Sequence, residues 1–209
     1  MNFINRLVGT IRDFVKALIG QLAVILNSVS GGRISANVLT ITSLLTHVPI
    51  ALLIATSHNY LAASLLLVFG LFDALDGAVA RLQKTSSPRG MLLDSITDRM
   101  KEILLYVGAS YSFVQNNRAY YAVWAVAACA ISLLVSYVNA WGEAVVTTTK
   151  DNIHQINKTF RGGIMTYDVR ITCFLLGLIV NRLDIAVIFI ASTSIFTALG
   201  RMRHLMQKL

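Results

Sequence analysis

Four aspartates, two glycines and an arginine recur at fixed intervals in the first half of this chain. They read Asp73-x-x-Asp76-Gly77-x-x-Ala80-Arg81, then eight residues, then Gly90-x-x-x-Asp94-x-x-x-Asp98. A helix brings residues three or four apart onto one face, so Asp73 pairs with Asp76 and Asp94 with Asp98. Between Arg81 and Gly90 lie the turn formers Ser86, Ser87 and Pro88, and with Gly90 they let two helices fold back as an antiparallel hairpin. Both Asp pairs then face across the gap. The surroundings are apolar, and an Asp at the centre of a membrane helix costs about 2.5–3.5 kcal/mol on insertion scales. No Lys or Arg is set beside each aspartate, so a divalent cation is the counter-charge the pattern asks for. Oxygen ligands without His or Cys nearby suit Mg²⁺, Mn²⁺ or Ca²⁺. Gly77 and Gly90 leave room for a bulky ligand to approach the backbone. Arg81 supplies a forked cation suited to a phosphate.

The elements that must hold these residues are membrane helices. Hydrophobic residues make up 56% of the 209 and charged residues 13%, with a mean hydropathy of +0.66; soluble domains carry about 25% charged residues. Six apolar stretches, at 37–57, 60–81, 90–114, 119–146, 166–181 and 183–199, predict six transmembrane helices. The fifth is short for a span of about 20 residues. Ahead of them, Phe3, Leu7, Ile11, Phe14 and Leu18 fall at helical spacing, with Arg6, Asp13 and Lys16 between. That pattern predicts an amphipathic interfacial helix. A signal peptide fits less well, because no small-residue cleavage site follows a long uniform apolar core. The expected fold is all-α and integral to the membrane: an interfacial helix over 1–30, then a six-helix domain over 31–209.

All Lys and Arg except Arg118 and Arg182 fall on one side of that topology. The positive-inside rule makes that side cytoplasmic, with both termini and the aspartate motif on it. The net charge of +8 therefore lines one membrane surface, where anionic headgroups also lie. No basic run interleaved with aromatics points to nucleic acid. Cys129 and Cys173 lie in predicted membrane segments without metal or disulfide spacing, and the four histidines are scattered.

The motif resembles the signature of the CDP-alcohol phosphotransferase family at every defined position from 73 to 98. The resemblance implies a membrane enzyme of the cell membrane that moves a substituted phosphoryl group from a CDP-linked lipid, CDP-diacylglycerol above all, to an alcohol hydroxyl, releasing CMP in phospholipid synthesis. It also implies that Asp73, Asp76 and Asp94 are metal ligands and that Asp98 is the catalytic base. Asp98 also shares a second ion, so the expectation is two ions of Mg²⁺ or Mn²⁺. Arg81 then stabilises charge at the diphosphate, and Gly77 and Gly90 leave room for the cytidine nucleotide. Upstream, Asn37 and Thr40 are similar to a short Pro-Asn-x-x-Thr segment that opens the first membrane helix in many family members, with Ala36 in place of the proline. Both are candidate nucleotide contacts, and helix capping by Ser35 or Asn37 is the alternative. Homodimers are usual in the family.

The residues around Asp94, Ser95, Asp98 and Arg99 look like the branch that makes phosphatidylinositol phosphate and archaetidylinositol phosphate. The segments 136–143 and 163–170 resemble that branch too, although Asn139, Trp141 and Tyr167 replace basic residues. Inositol phosphate is the favoured acceptor, with Arg161 and Arg170 as candidate ligands of its phosphate. Glycerol phosphate and other alcohols stay open. An Asp-rich membrane prenyltransferase would show two separate Asp-rich motifs, and a cation transporter would spread its acids along a path through the membrane.

Overall fold

The computed structural model describes residues 17–148 and 165–207. Seven helices account for most of them: α1 (Ala17–Val29), α2 (Ala36–Ala55), α3 (Asn59–Leu82), α4 (Pro88–Gln115), α5 (Ala119–Thr148), α6 (Tyr167–Ile179) and α7 (Leu183–Met206). No strand occurs among the described residues. The expected all-α class is therefore met. The interfacial helix expected over 1–30 lies outside the described residues up to position 16.

Among the described residues four helices are long and apolar enough to cross a bilayer: α2, α3, α5 over Ala119–Gly142, and α7. Large apolar side chains stay exposed along them, including Leu45, Leu52, Leu67, Val123, Val126 and Phe196. Such faces are stable in lipid, where the helix backbone satisfies its own hydrogen bonds. The chain is a multi-pass membrane protein. α4 has the length but carries Arg89, Asp94, Asp98, Arg99, Lys101 and Glu102 between positions 89 and 102. α6 has 13 residues, about 20 Å at 1.5 Å per residue, short of a hydrocarbon core of about 30 Å.

The chain divides into two compact units, and α2, α3 and α4 each contribute to both. The first unit holds residues up to Pro49 and Leu65–Lys101. Its core joins Ala23 of α1, Leu39 of α2 and Ala78 and Val79 of α3, with Ile19, Leu26, Phe72 and Leu75 around them. The Gln83 amide ties the α1–α2 connection to the end of α3, donating to Asn27 Oδ1 and to the Ile34 carbonyl at 2.9 Å each. α3 ends where Lys84 turns left-handed (φ 57°) and the Thr85 amide donates back to the Ala80 carbonyl at 2.9 Å. Ser87 then caps α4, its Oγ accepting from the Gly90 amide at 3.2 Å, with Pro88 as the first helical residue. The expected turn is thus present, and Gly90 sits inside the first turn of α4, past the turn itself.

The second unit holds Ile50–Ser64 and the chain from Glu102 onward. α7 packs on both α5 and α6. Gly108 on α4 lets the Ala51 backbone approach so closely that an added Cβ would lie 2.5 Å from its carbonyl oxygen. Gly177 on α6 does the same for the Ala186 methyl on α7, again at 2.5 Å. Polar caps close this unit at one end. Asn116 donates to Ser57 Oγ at 2.8 Å, Asn59 to Asn181 Oδ1 at 2.6 Å, and Arg118 to Asp184 at 2.8 Å.

Candidate active site

α3 carries Asp73, Asp76, Gly77 and Arg81, and α4 carries Gly90, Asp94 and Asp98. All seven lie in the first unit, and the Lys84–Ser87 connection reverses the chain between the two helices. The burial of these residues differs. Asp76 is 5% exposed, the Asp73 and Asp98 side chains are 22% and 17% exposed, and Arg81 is open to the surroundings.

Thr40 on α2 is buried beside Asp76, and its Oγ1 donates to Asp76 Oδ2 at 2.6 Å. The same hydroxyl lies 3.1 Å from the Ala36 carbonyl. The residue expected at the nucleotide therefore touches the carboxylate cluster. Asn37 is exposed and lies near the α4 start: a Cβ added to Gly90 would sit 3.6 Å from Asn37 Oδ1 and 3.4 Å from Ser87 Oγ. Ser35 caps α2, its Oγ accepting from the Val38 amide at 3.4 Å, which leaves the Asn37 side chain available at the mouth of the cluster. The Arg81 guanidinium folds back along α3, 3.5 Å from where a Gly77 Cβ would be.

One residue the sequence reading passed over sits at the centre. Lys101 is completely buried, and its Nζ lies 2.6 Å from Asp73 Oδ1 and 2.8 Å from Asp98 Oδ1. Arg99 adds a longer contact, 3.7 Å, to Asp98 Oδ2. The expectation that no basic side chain neutralises these aspartates is corrected: one ammonium bridges two of the four. A signal was present, since Lys101 follows Asp98 by three residues and so shares its helix face. Which carboxylate it meets on the facing helix is set by packing and was not readable.

The donor chemistry fits a hard divalent ion. Four carboxylates oppose one bridging ammonium, and the cluster holds neither His nor Cys. Among the described residues no three potential ligands converge on a single point. Asp76 and Asp94 make no ion pair with a basic side chain there.

The two arginines proposed for an acceptor differ. Arg161 lies outside the described residues. Arg170 belongs to the second unit and is 1% exposed. Its Nε and Nη2 donate to the two carboxylate oxygens of Glu102 at 2.7 and 3.0 Å, and Nη1 donates to the Met165 carbonyl at 3.1 Å. As placed, it anchors the start of α6 to α4.

Comparison with known proteins adds a frame to this geometry. The model of the family described as CDP-alcohol phosphatidyltransferase matches residues 33–199. The chain is 31% identical over 179 residues to the phosphatidylinositol phosphate synthase of Corynebacterium glutamicum, covering 81% of this chain and 77% of that one. It is 25% identical over 214 residues to the archaetidylinositol phosphate synthase of Methanothermobacter thermautotrophicus, covering 100% and 96%. In fold it is similar to the crystal structure of the Mycobacterium tuberculosis phosphatidylinositol phosphate synthase with CDP-DAG bound, at a TM-score of 0.77 and 22% identity over 90% of this chain and 94% of that one. The same mycobacterial protein in complex with manganese and citrate gives a TM-score of 0.76, with 22% identity over 90% and 88% of the two chains.

Proposed function

The chain belongs to the CDP-alcohol phosphatidyltransferase family, and from that premise we propose that it transfers the phosphatidyl group of CDP-diacylglycerol to a hydroxyl of inositol phosphate. The enzyme class follows from the family; the donor lipid and the acceptor are our reading. The acceptor is supported by the names of the two relatives, both inositol phosphate lipid synthases. The observation that supports the reaction is the joining of Asp73 on α3 to Asp98 on α4 through Lys101, with Asp76 and Asp94 on the same two helices and in the same unit.

In this reading the acceptor oxygen attacks the phosphorus that bears the lipid, and the bond from that phosphorus to the CMP oxygen breaks. Asp98 takes the hydroxyl proton. Its place at the end of the cluster makes it the candidate base. Asp73, Asp76 and Asp94 would hold the metal, with Asp98 beside them. When bound, a divalent ion, Mg²⁺ or Mn²⁺, supplies Lewis acidity at the diphosphate. Arg81, exposed beside Gly77, offsets charge on the departing CMP. Asn37 and Gly90 at the α4 start form the cytidine-facing edge, and Thr40 orients Asp76. Arg161 is the first candidate for the acceptor phosphate. Arg170 serves there only by exchanging Glu102 for the phosphate.

We further place six spans in the membrane, counting α4 and α6, with the site and both termini in the cytoplasm. The homodimer expectation rests on the family resemblance. The test is CMP release by the purified protein from CDP-diacylglycerol with Mg²⁺ and a panel of acceptors. Release that depends on inositol phosphate, and falls about 10²–10⁴-fold in Asp98→Asn, is expected. Release with glycerol phosphate alone would replace the acceptor and keep the class.

A further inference from the structure

We propose that the Arg118–Asp184–Arg182 cluster and the groove between α4 and α5 together seat one anionic phospholipid of the leaflet that faces away from the cytoplasm. Its phosphate lies on the two guanidiniums and one acyl chain fills the groove. This goes beyond the phosphatidyl transfer proposed above and rests on the reading that α4 crosses the membrane. Arg118 and Arg182 are the two basic residues that the charge pattern leaves on the far side, and both converge on one carboxylate. Arg118 Nη2 donates to Asp184 Oδ2 at 2.8 Å, and Arg182 Nε donates to Asp184 Oδ1 at 3.3 Å. The Asp184 side chain is 5% exposed, whereas those of Arg118 and Arg182 are 45% and 58% exposed. One guanidinium is enough to neutralise the carboxylate, so the second leaves a surplus positive charge where lipid phosphates lie. Each guanidinium carries five N–H donors, and the bonds to Asp184 use a minority of them. The Arg118 guanidinium is steadied over the Tyr121 ring, 4.6 Å from its centroid. Forked donors half open to the headgroup layer suit a phosphate.

The groove lies on the two helices that Arg118 joins, in the same compact unit. It has a volume of about 560 Å³, with Val107, Tyr111 and Val114 of α4 and Val126, Ala130 and Leu133 of α5 in its walls. Sites that bury a ligand have volumes of this order. The lining is apolar, and Tyr106 spends its hydroxyl on Ser132 Oγ, 3.4 Å away. On α4 the walls run from Tyr106 to Val114, about 12 Å at 1.5 Å per residue. That fits within one leaflet, half of a hydrocarbon core of about 30 Å. Val114 precedes Arg118 by four residues, so a chain descending from a headgroup at Arg118 meets the groove at once. A second copy of this chain suits the place less well, because it would bring the same surplus charge to the same level.

The test is native mass spectrometry of the full chain in detergent, with equal amounts of dioleoyl phosphatidylglycerol and dioleoyl phosphatidylcholine. The wild type is expected to retain one lipid per chain and to favour phosphatidylglycerol about fivefold, the effect of one basic side chain near an anionic headgroup. Arg182→Gln leaves Arg118 on Asp184 and is expected to lose the preference. Ala130→Phe fills the groove and is expected to release both lipids; where it does not fold, Val107→Phe on the opposite wall carries the same expectation. Equal retention of the two lipids by the wild type, or an unchanged preference in Arg182→Gln, would overturn the inference. Displacement of the retained lipid by CDP-diacylglycerol would place it at the carboxylate cluster, which sinks the inference and leaves the proposed reaction standing. If Ala130→Phe instead splits a dimer that holds no lipid, the groove seats a second copy and the inference fails.

Discussion

Thr40 shows how a single hydroxyl ties α2 to the carboxylates of the motif. Its Oγ1 donates to Asp76 at 2.6 Å in a buried setting. Partners of this kind orient a ligand oxygen, and losing them typically costs 10–100-fold in metal affinity or activity. Thr40→Val keeps the branched shape and removes the donor. The half-saturating Mg²⁺ concentration for CMP release is therefore expected to rise about 10–100-fold, and a titration that superimposes on the wild type would remove Thr40 from the metal's surroundings. At this scale the sequence was informative about residue types and spacing. The carboxylates, Gly77, Gly90 and Arg81 were legible because helical periodicity and a fixed motif both point to them. Lys101 and the Thr40–Asp76 contact were not, since each depends on which faces of α2, α3 and α4 meet. Arg170 shows the same limit from the other side: the resemblance of segment 163–170 suggests a substrate ligand, and the fold sets it against Glu102.

Elements in the second unit are held by two devices, close backbone approach and one buried ion pair. At Gly108 an added methyl would meet the Ala51 carbonyl oxygen at 2.5 Å, and backbone cannot give way as a side chain does. Gly108→Ala is expected to destabilise by about 1–3 kcal/mol, seen as a lower melting temperature in detergent, while Gly70→Ala, with open space around it, is expected to change nothing. The Glu102–Arg170 pair is 1% exposed on both sides. Removing one partner strands the other charge, which typically costs about 3–5 kcal/mol. Arg170→Ala and Glu102→Ala should each show such a loss, and the double change Glu102→Leu with Arg170→Met should recover much of it. A variant Arg170→Ala of wild-type stability with a raised KM for the acceptor would instead restore Arg170 to the acceptor site. None of this was readable from composition. A helix boundary follows from Ser87 and Pro88, but a helix partner depends on surfaces that only the folded chain brings together.

The membrane arrangement of the whole molecule turns on α4 and α6, the two helices that hydropathy alone leaves undecided. α2, α3, α5 and α7 qualify by length and composition. α4 has 28 residues, about 42 Å at 1.5 Å per residue, long enough to cross the apolar layer where its charged side chains are paired within the protein. The placement of the charges supports this: Lys101 and Glu102 are both buried and paired, so neither faces lipid. α6 is short, ending where Asn181 turns left-handed (φ 55°) and the Arg182 amide donates back to the Gly177 carbonyl at 2.8 Å, but a tilted neighbour or a locally thinner bilayer accommodates a short helix at modest cost. Six spans put Thr85 on one side of the membrane and Gln115 and Val180 on the other. In a background with Cys129 and Cys173 replaced by alanine, single cysteines at these three exposed positions can be labelled with an impermeant maleimide in oriented vesicles. Thr85→Cys should react from the cytoplasmic face only, and Gln115→Cys and Val180→Cys only from the opposite face. Reaction of Thr85→Cys and Gln115→Cys from the same face would mean that α4 does not cross. The carboxylates would then have to be held at the surface by a re-entrant helix.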